Sequence, residues 1–252
     1  MPIIQSVERA LKILDLFNEQ EPELRITEIS ERMHLNKSTV HSLLRTLQEY
    51  GYIERNTENG KYKLGLKLFE RGNFVTYNLD TRTIARKYLL DLSLKTGHTL
   101  HLVILEGKEA VYIDKVEGKS GNVEGSRIGR RATLHSSGVG KVLFAFRTEE
   151  EMNQILDGYI FEKRTTNTLT NKEDFLEEIA KIKKQGYAID KEENEPGISC
   201  IAFPIYSYTN KVIAAFSISM PTPQLNDEQL NRIIPIMEQT AEQISKEMGY
   251  RS

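Results

Sequence analysis

The segment Ile26–Leu64 constrains the fold of this chain more than any other stretch, because it encodes two short helices, a tight turn and a hairpin in succession. Ile29 and Met33 lie one helical turn apart, and Thr27 can cap the helix that they predict. His34-Leu35 then forms the turn. This order of elements is typical of a helix-turn-helix.

A second helix is predicted over 37–50, with Asn36 as its N-cap. Its apolar residues follow helical spacing and form one buried stripe, namely Val40, Leu43, Leu44 and Leu47. A rotation of about 100° per residue places hydrogen-bonding residues on the opposite face, namely Ser38, His41, Ser42 and Arg45. This face carries no acid before Glu49, as a helix that enters the major groove of DNA requires.

A hairpin follows this helix. Asn59-Gly60 is the preferred signal for a two-residue hairpin turn. On the returning strand we expect Tyr62 and Leu64 to face inward, and Lys61 and Lys63 to face outward toward phosphates.

The ordered set predicts a winged helix-turn-helix that binds double-stranded operator DNA. The alternative is an ordinary helical hairpin with a solvated charged face, since each piece alone is common. The candidate DNA contacts are Arg32, Asn36, Lys37, Ser38, Thr39, His41, Ser42, Arg45, Lys61 and Lys63.

The charge of the chain favours a few positioned DNA contacts over a broad electrostatic footprint. The net charge is −2, and residues 1–65 carry nine Lys or Arg against ten Asp or Glu. Positive charge is instead local, at Arg32, Lys37 and Arg45. Because one copy of the chain offers so few DNA contacts, we expect a symmetric assembly of copies that doubles their number.

The length of 252 residues predicts two domains, since the part beyond the winged segment can bury a core of its own. Cys200 is the single cysteine, which excludes an intramolecular disulfide framework and fits a reducing cytoplasm. The sequence shows neither an apolar signal core nor a membrane span, so we expect a cytoplasmic protein without membrane contact.

Periodicity predicts three regions: a winged domain over 1–65, a linker helix over 66–79 and a second domain over 80–252. At the start, Ser6 precedes a helix whose stripe of Val7, Ala10, Leu11 and Leu14 should support the two reading helices. The second domain mixes helices with strands at 99–105, 110–116, 187–190, 198–206 and 211–220. We therefore expect an α+β fold, with an antiparallel sheet flanked by helices.

Two of these strands pair a bulky face with a face of small residues. Small Ala215, Ser217 and Ser219 alternate with Phe216 and Ile218, and small Cys200 and Ala202 alternate with Ile201 and Phe203. A small face leaves room for a close-packed helix or a small ligand, and periodicity alone favours the helix.

Gly138-Val139-Gly140 at a helix start has two interpretations, which the sequence favours equally. The segment offers backbone N–H groups to an anion, or its glycines only allow close packing.

Two strings, SRIGRRATLHSSGVGKVLFAF (Ser126–Phe146) and YAIDKEENEPGISCIAFPIY (Tyr187–Tyr206), resemble the effector domain of the IclR family of bacterial transcriptional regulators. SVERALKILDLF and the winged segment resemble the same family, so the resemblance covers nearly the whole chain. It implies a winged helix-turn-helix, a linker helix and a GAF-like effector domain, assembled as a homodimer or dimer of dimers on operator DNA. It also implies an effector site at Gly138, Val139, Asp190, Ile198, Cys200, Ser217 and Ser219.

The sequence departs from the family pattern in two places. Val139 replaces a smaller residue, and the loop Gly121–Gly125, apolar in several relatives, carries Asn122 and Glu124. A polar lid predicts either a polar effector or poor closure of the site. Asp190 opposes a fully anionic effector unless the carboxyl is protonated or bonded to a hydroxyl. The resemblance does not identify the effector, and small organic acids and sugar acids are the candidates to screen.

Two other functions fit parts of the sequence. An enzyme could use Cys200 as nucleophile and His135 as base, but a thiol inside an apolar strand is usually inert. Without metal-ligand spacing or paired carboxylates, we predict no catalytic residue, metal or cofactor. A winged domain that binds protein should present an apolar face, whereas this one is polar. The favoured function is a ligand-responsive, sequence-specific repressor of a bacterial metabolic operon.

Overall fold

The computed structural model describes residues 3–18, 20–77, 80–119 and 126–251. Its backbone contacts divide the chain into two compact units, Met1–Asn78 and Leu79–Ser252. Every helix within the described ranges is too short or too polar to span a membrane.

The first unit is a helix-turn-helix followed by a small sheet and a further helix. Ile13, Ile29 and Leu44 are fully buried and join its first three helices in one apolar core. Its elements are α1 (Gln5–Leu14), β1 (Glu23–Leu24), α2 (Ile26–Met33), α3 (Lys37–Glu49), β2 (Ile53–Arg55), β3 (Tyr62–Leu64) and α4 (Leu66–Tyr77).

The caps of α2 and α3 differ from the expected ones. Arg25 occupies the N-cap of α2 in place of Thr27, and the Glu28 carboxylate accepts the Arg25 N–H at 2.6 Å. Asn36 precedes α3 as predicted, but its side chain makes no capping hydrogen bond. Between them His34 ends α2 in the left-handed region, with φ of 50°, which confirms the tight turn.

α1 packs on the two reading helices as predicted, but part of its predicted apolar stripe lies in solvent. Ile13 is buried, whereas Val7 is 53% and Leu11 is 57% exposed. Ser6 lies inside this helix rather than before it. An amphipathic pattern identifies the apolar face of a helix. It does not show whether another part of the same chain buries that face.

The wing is a three-stranded sheet in the order β1-β3-β2, not a lone hairpin. The sequence did not predict β1, which pairs antiparallel with β3 and brings Glu23 opposite Lys63. A strand of two residues is too short to show an alternating pattern.

The hairpin turn is longer than predicted. The Asn56 N–H donates to the Lys61 carbonyl at 2.8 Å, so residues 57–60 form the loop rather than Asn59-Gly60 alone. Tyr62 is buried as expected, but Leu64 is 41% exposed because it is the last residue of β3, where the small sheet ends.

The second unit is an antiparallel six-stranded sheet with helices on both faces. Its strand order is β6-β5-β4-β9-β8-β7, which confirms the α+β class. Its elements are α5 (Asp80–Thr96), β4 (Thr99–Glu106), β5 (Glu109–Val116), β6 (Arg131–Ala132), α6 (Gly138–Ala145), α7 (Glu149–Leu156), α8 (Lys172–Gln185), β7 (Ala188–Lys191), β8 (Ile198–Tyr206), β9 (Val212–Pro221) and α9 (Asp227–Glu247).

The two faces of the sheet carry the two kinds of residue that the alternation predicts. Ile201 and Phe216 lie on the bulky face, in a core shared with α5 and α9. Ala202 and Ala215 lie on the small face, in a second core with Val139 and the rest of α6. The small face therefore accepts a closely packed helix along part of its length.

α7 was missed from the sequence although it carries a readable signal. Thr148 and Glu151 form a capping box, in which the Thr148 Oγ1 accepts the Glu151 N–H at 3.2 Å. At the start of α8 the N-cap is Asn171, whose side chain accepts the Asp174 N–H, and Gly186 ends that helix in the left-handed region.

Candidate functional site

The outer face of α3 is polar and open to solvent. Val40 and Leu44 are fully buried, which turns the opposite side of the helix outward. Ser38, His41, Ser42 and Arg45 are all exposed on that side, and so are Asn36 and Lys37. Thr39 is half-buried. A row of hydrogen-bond donors and acceptors with two cations is a surface that can bind base edges and phosphates.

Arg32 is engaged within the unit. Its guanidinium donates two hydrogen bonds to the Glu21 carboxylate, at 2.5 and 2.7 Å. These bonds lower the pKa of Glu21. Glu21 lies outside the acid-free stretch between Arg32 and Glu49, so the local charge of the sequence does not reveal this pair.

The two wing lysines lie among acids. The Lys63 ammonium is 3.2 Å from the Glu54 carboxylate across the β2–β3 pair. Glu23 accepts hydrogen bonds from Asn56 and Asn59 on the wing loop, and Lys61 and Lys63 both help to lower the pKa of Glu23. The wing is therefore less positive than its lysines alone suggest.

A small cavity of about 30 Å³ lies in the second unit, beside the small face of the sheet. Of the predicted effector residues, Asp190, Ile198, Cys200 and Ser219 line it. The sequence did not indicate the other lining residues, which are His101, Tyr112, Ser126, Asn194 and Glu195.

One hydrogen-bonded row crosses the wall of this cavity. The Cys200 Sγ lies 3.1 Å from the Ser219 Oγ, which lies 3.2 Å from His101 Nδ1. His101 Nε2 is 2.6 Å from the Ser126 Oγ. His101 could have been found from the sequence, because it is the only basic residue among the apolar residues of β4.

Two acids line the cavity: Asp190 is buried, with 2% exposure, and Glu195 is half-buried. Burial raises the pKa of Asp190 to about 7, although the Glu193 N–H donates to its carboxylate at 2.7 Å. An acid with this pKa can accept a hydrogen bond from a ligand hydroxyl or donate one to a ligand oxygen.

The helix start contributes less to the cavity than the resemblance implies. Gly138 packs closely on β8, where an added Cβ would lie 3.3 Å from the Ala202 Cβ. The Ser137 Oγ accepts the Gly140 N–H at 3.1 Å, so only the Gly138 and Val139 amides remain as candidates for a ligand. Neither residue lines the cavity in this state, and neither does Ser217, which is buried on the small face.

Lys141, fully buried in α6, is a further residue that the sequence did not indicate. Its ammonium donates to the Glu193 carboxylate at 2.6 Å and to the Ile189 carbonyl at 2.8 Å. It thereby ties α6 to the loop that follows Asp190. The predicted lid Gly121–Gly125, with Asn122 and Glu124, lies outside the described residues.

The arrangement does not support the enzyme alternative. Burial raises the pKa of Cys200, which disfavours a thiolate nucleophile. His135 contacts the Tyr159 hydroxyl at 2.9 Å and the Glu162 carbonyl at 3.0 Å, so its two ring nitrogens serve a turn rather than the thiol. Within the described ranges, no group of His, Cys, Asp and Glu side chains could hold a metal ion.

Comparison with known proteins agrees with this geometry. The family model of the IclR helix-turn-helix domain matches residues 6–57, and that of the bacterial transcriptional regulator IclR C-terminal domain matches residues 73–246. The HTH-type transcriptional regulator XynR of Escherichia coli (strain K12) is 50% identical over 250 residues, which cover 99% of each chain.

Solved structures share the fold over nearly the full length. The crystal structure of the Thermotoga maritima IclR has a TM-score of 0.81 at 35% identity, and the match covers 97% of this chain and 99% of that one. An IclR homolog from Microbacterium hydrocarbonoxydans, complexed with 4-hydroxybenzoate, has a TM-score of 0.85 at 23% identity, with coverage of 97% and 99%. The chain belongs to the IclR family of bacterial transcriptional regulators, and it is a DNA-binding regulator rather than an enzyme.

Proposed function

We propose that α3 reads the operator with its exposed polar side and that the wing holds the adjacent backbone. One observation carries this proposal: the two faces of α3 differ. Val40 and Leu44 are fully buried on one face, and His41 and Arg45 are exposed on the other. Base edges would be read from Ser38, His41, Ser42 and Arg45, with Asn36, Lys37 and Thr39 at the front of the helix. Arg32, Lys61 and Lys63 would contact phosphates.

Two copies would read the operator together, as a homodimer or a dimer of dimers. An exposed apolar patch supports this assembly, since such a patch favours pairing with another protein surface. It comprises Val7 and Leu11 of α1 and the preceding Ile4. Symmetric pairing would double the few base contacts of one copy.

A small polar metabolite, a small organic acid or a sugar acid, would control DNA binding from the second unit. Its site would comprise Gly138, Val139, Asp190, Ile198, Cys200, Ser217 and Ser219. A cavity of about 30 Å³ has room for about one or two water molecules, so the site would expand on binding. The 4-hydroxybenzoate complex of a fold relative supports a small organic ligand.

Control would require that the metabolite bind two arrangements of the protein with different affinity. Residues 1–65 would read DNA, and residues 80–252 would bind the metabolite and assemble the copies together with the α1 patch. Residues 66–79 would connect the two events. Release of the operator on metabolite binding would make the protein a repressor of a metabolic operon.

A mobility-shift titration of Arg45→Ala tests the DNA-binding proposal. Loss of a base contact should weaken operator binding by about 5- to 150-fold, and circular dichroism should show an unchanged fold. Lys181→Ala, which removes an exposed charge on α8, is the control and should bind as the native chain does. Unchanged binding by Arg45→Ala would remove α3 from the groove and favour a winged domain that binds protein.

A thermal-shift screen of small organic acids and sugar acids tests the effector proposal. Calorimetry on a hit should show that Asp190→Ala abolishes binding, while its affinity for the operator stays intact. Native ligand affinity in Asp190→Ala would take Asp190 out of the site.

A further inference from the structure

One carboxylate on β1 holds the loop of the wing with both of its oxygens. The loop is residues 57–60, which Asn56 and Lys61 close through their backbone hydrogen bond of 2.8 Å. The Asn56 Nδ2 donates to the Glu23 Oε1 at 3.1 Å, and the Asn59 Nδ2 donates to the Glu23 Oε2 at 2.8 Å. We call Glu23, Asn56 and Asn59 the wing clamp.

The two asparagines use the oxygens of their amides within the loop. The Asn56 Oδ1 accepts the Glu58 N–H at 2.9 Å, and the Asn59 Oδ1 accepts the Lys61 N–H at 2.9 Å. Each asparagine therefore joins the backbone of the loop to Glu23. Loss of the carboxylate would free both amide nitrogens and leave only the hydrogen bonds inside the loop.

Glu23 suits this role because its carboxylate is ionised. Hydrogen bonds from Asn56 and Asn59 lower the pKa of Glu23, and the charges of Lys61 and Lys63 lower it further. An ionised carboxylate accepts hydrogen bonds on both oxygens and donates none, so it matches two amide donors. Such charge-assisted bonds are stronger than those between neutral groups.

The position of Glu23 connects the wing to the helix-turn-helix. Glu23 lies opposite Lys63 of β3, and α2 begins three residues later at Ile26. Leu24, the next residue along the chain, is buried in the apolar core that also contains Leu44 of α3. The wing clamp therefore ties the loop to a segment that is anchored in the same core as the recognition helix.

We propose that Glu23 is a positioning residue for DNA binding, which holds the wing loop in one shape and in a fixed place relative to α3. This rests on the proposed reading of the operator by α3 and the wing. A loop that is ordered before it meets DNA does not have to be ordered at the expense of the binding free energy. An acid would thereby favour the binding of an anionic partner, although its charge alone opposes that partner.

Two charge-matched variants of the full chain test the sign of this effect. Glu23→Gln and Glu58→Gln each remove one negative charge from the wing, but the Glu58 carboxylate has no hydrogen-bond or ion-pair partner among the residues that the structure describes. Fluorescence anisotropy measures the affinity for a duplex that the native chain selects from a random library. Glu23→Gln should weaken binding about fivefold or more. Glu58→Gln removes only repulsion, so it should leave binding unchanged or tighten it.

A reciprocal exchange of the two groups tests the hydrogen bonds themselves. Asn59→Asp alone brings a second carboxylate to Glu23 and should weaken binding about fivefold or more. In the double variant Glu23→Gln/Asn59→Asp, the glutamine amide can donate to the aspartate and accept from Asn56 through its oxygen. The double variant also keeps the net charge of the native wing. It should bind within about threefold of the native chain.

Amide hydrogen exchange reports the order of the loop without DNA. The Gly60 and Lys61 N–H groups both donate within the wing, at 2.9 Å each. Both should exchange faster in Glu23→Gln than in the native chain, and as in the native chain in Glu58→Gln. Unchanged exchange at Leu44, in the core of the unit, would show that Glu23→Gln remains folded.

The outcomes distinguish this inference from the proposed contact between the wing and DNA. If Lys63→Ala weakens binding but Glu23→Gln binds as tightly as Glu58→Gln does, the wing contacts DNA and the positioning role of Glu23 is wrong. If the double variant stays as weak as Glu23→Gln, the hydrogen bonds of the wing clamp are not the cause. If Lys61→Ala, Lys63→Ala and Glu23→Gln all bind as the native chain does, the wing does not contact DNA and both proposals fail.

Discussion

Lys141 and Glu193 form a buried ion pair, with the ammonium nitrogen 2.6 Å from the carboxylate and Lys141 fully enclosed in α6. Burial raises the pKa of Glu193, and the charge of Lys141 opposes that rise. The Glu193 N–H in turn donates to Asp190. One charge pair thus connects a helix of the second core to the acid of the candidate effector site.

Replacement of Lys141 should therefore destabilise the second unit. Lys141→Met leaves the Glu193 carboxylate buried without its partner, and the loss of one member of a buried pair costs about 3–5 kcal/mol. Denaturant unfolding measures the change. Lys181→Met is the control, because Lys181 is 69% exposed and lies 3.5 Å from Glu178, and it should change stability by less than about 0.5 kcal/mol. Equal stabilities of the two variants would show that the buried pair is dispensable.

Asp190 and His101 have pKa shifts of opposite sign in one cavity. Burial raises the pKa of Asp190 from 3.8 to about 7 and lowers the pKa of His101 from 6.5 to about 3. The fold favours the neutral form of each group. Asp190 stabilises fully below pH 3.8, and this contribution is lost as the pH rises toward about 7. His101 stabilises fully above pH 6.5, and this contribution is lost as the pH falls toward about 3.

Single substitutions should reveal the opposite pH dependences of stability that Asp190 and His101 cause. Asp190→Asn should gain stability relative to the native chain as the pH rises from about 4 to 7, and His101→Gln should gain as it falls from about 6.5 to 4. Each unit of pKa corresponds to roughly 1.4 kcal/mol, so either change should reach a few kcal/mol. Unfolding curves at several pH values measure both. A pH-independent difference between Asp190→Asn and the native chain would contradict the raised pKa.

Glu54 should weaken DNA binding by holding Lys63. Glu54→Gln removes the carboxylate that lies 3.2 Å from the Lys63 ammonium, so the lysine becomes available to a phosphate. We expect tighter binding to all DNA sequences alike, and a plot of log affinity against log salt that is steeper by about one. Glu149→Gln, on α7 of the second unit, is the charge-matched control. A decrease in affinity would show that the pair orders the wing.

Replacement of Lys61 or Lys63 on the wing should weaken DNA binding, the opposite of the effect expected for Glu54→Gln. Lys61→Ala or Lys63→Ala should lower the affinity for all sequences and flatten the salt dependence, since each removes a phosphate contact. Fluorescence anisotropy on operator and random duplexes measures both effects. A loss confined to the operator would place the lysine on a base instead.

Gly140 permits the tight start of α6. An added Cβ would lie 2.5 Å from the Thr133 carbonyl oxygen and 2.7 Å from the Leu134 Cα, both of which are backbone atoms. Gly140→Ala should therefore cost about 1–3 kcal/mol of stability in thermal or denaturant unfolding. Gly72→Ala, in α4 with open space around it, should instead stabilise its helix by about 0.5–1 kcal/mol. A neutral Gly140→Ala would mean that the preceding turn shifts freely.

The sequence by itself determined most of the elements, though not β1 or α7, and the character of their faces. Helical spacing identified Val40 and Leu44 as core of α3, and strand alternation separated Ser219 from Phe216 on β9. Both follow from local geometry, because a side chain's direction repeats every 3.6 residues in a helix and every two in a strand.

Only the tertiary structure decided which distant groups meet. His101 meets Ser219 across 118 positions, and Lys141 meets Glu193 across 52. The tertiary structure also decides which apolar faces are buried, because Val7 lies on the apolar stripe of α1 and is exposed. Strand register and helix packing set these contacts, and neither is encoded in the periodicity of one segment.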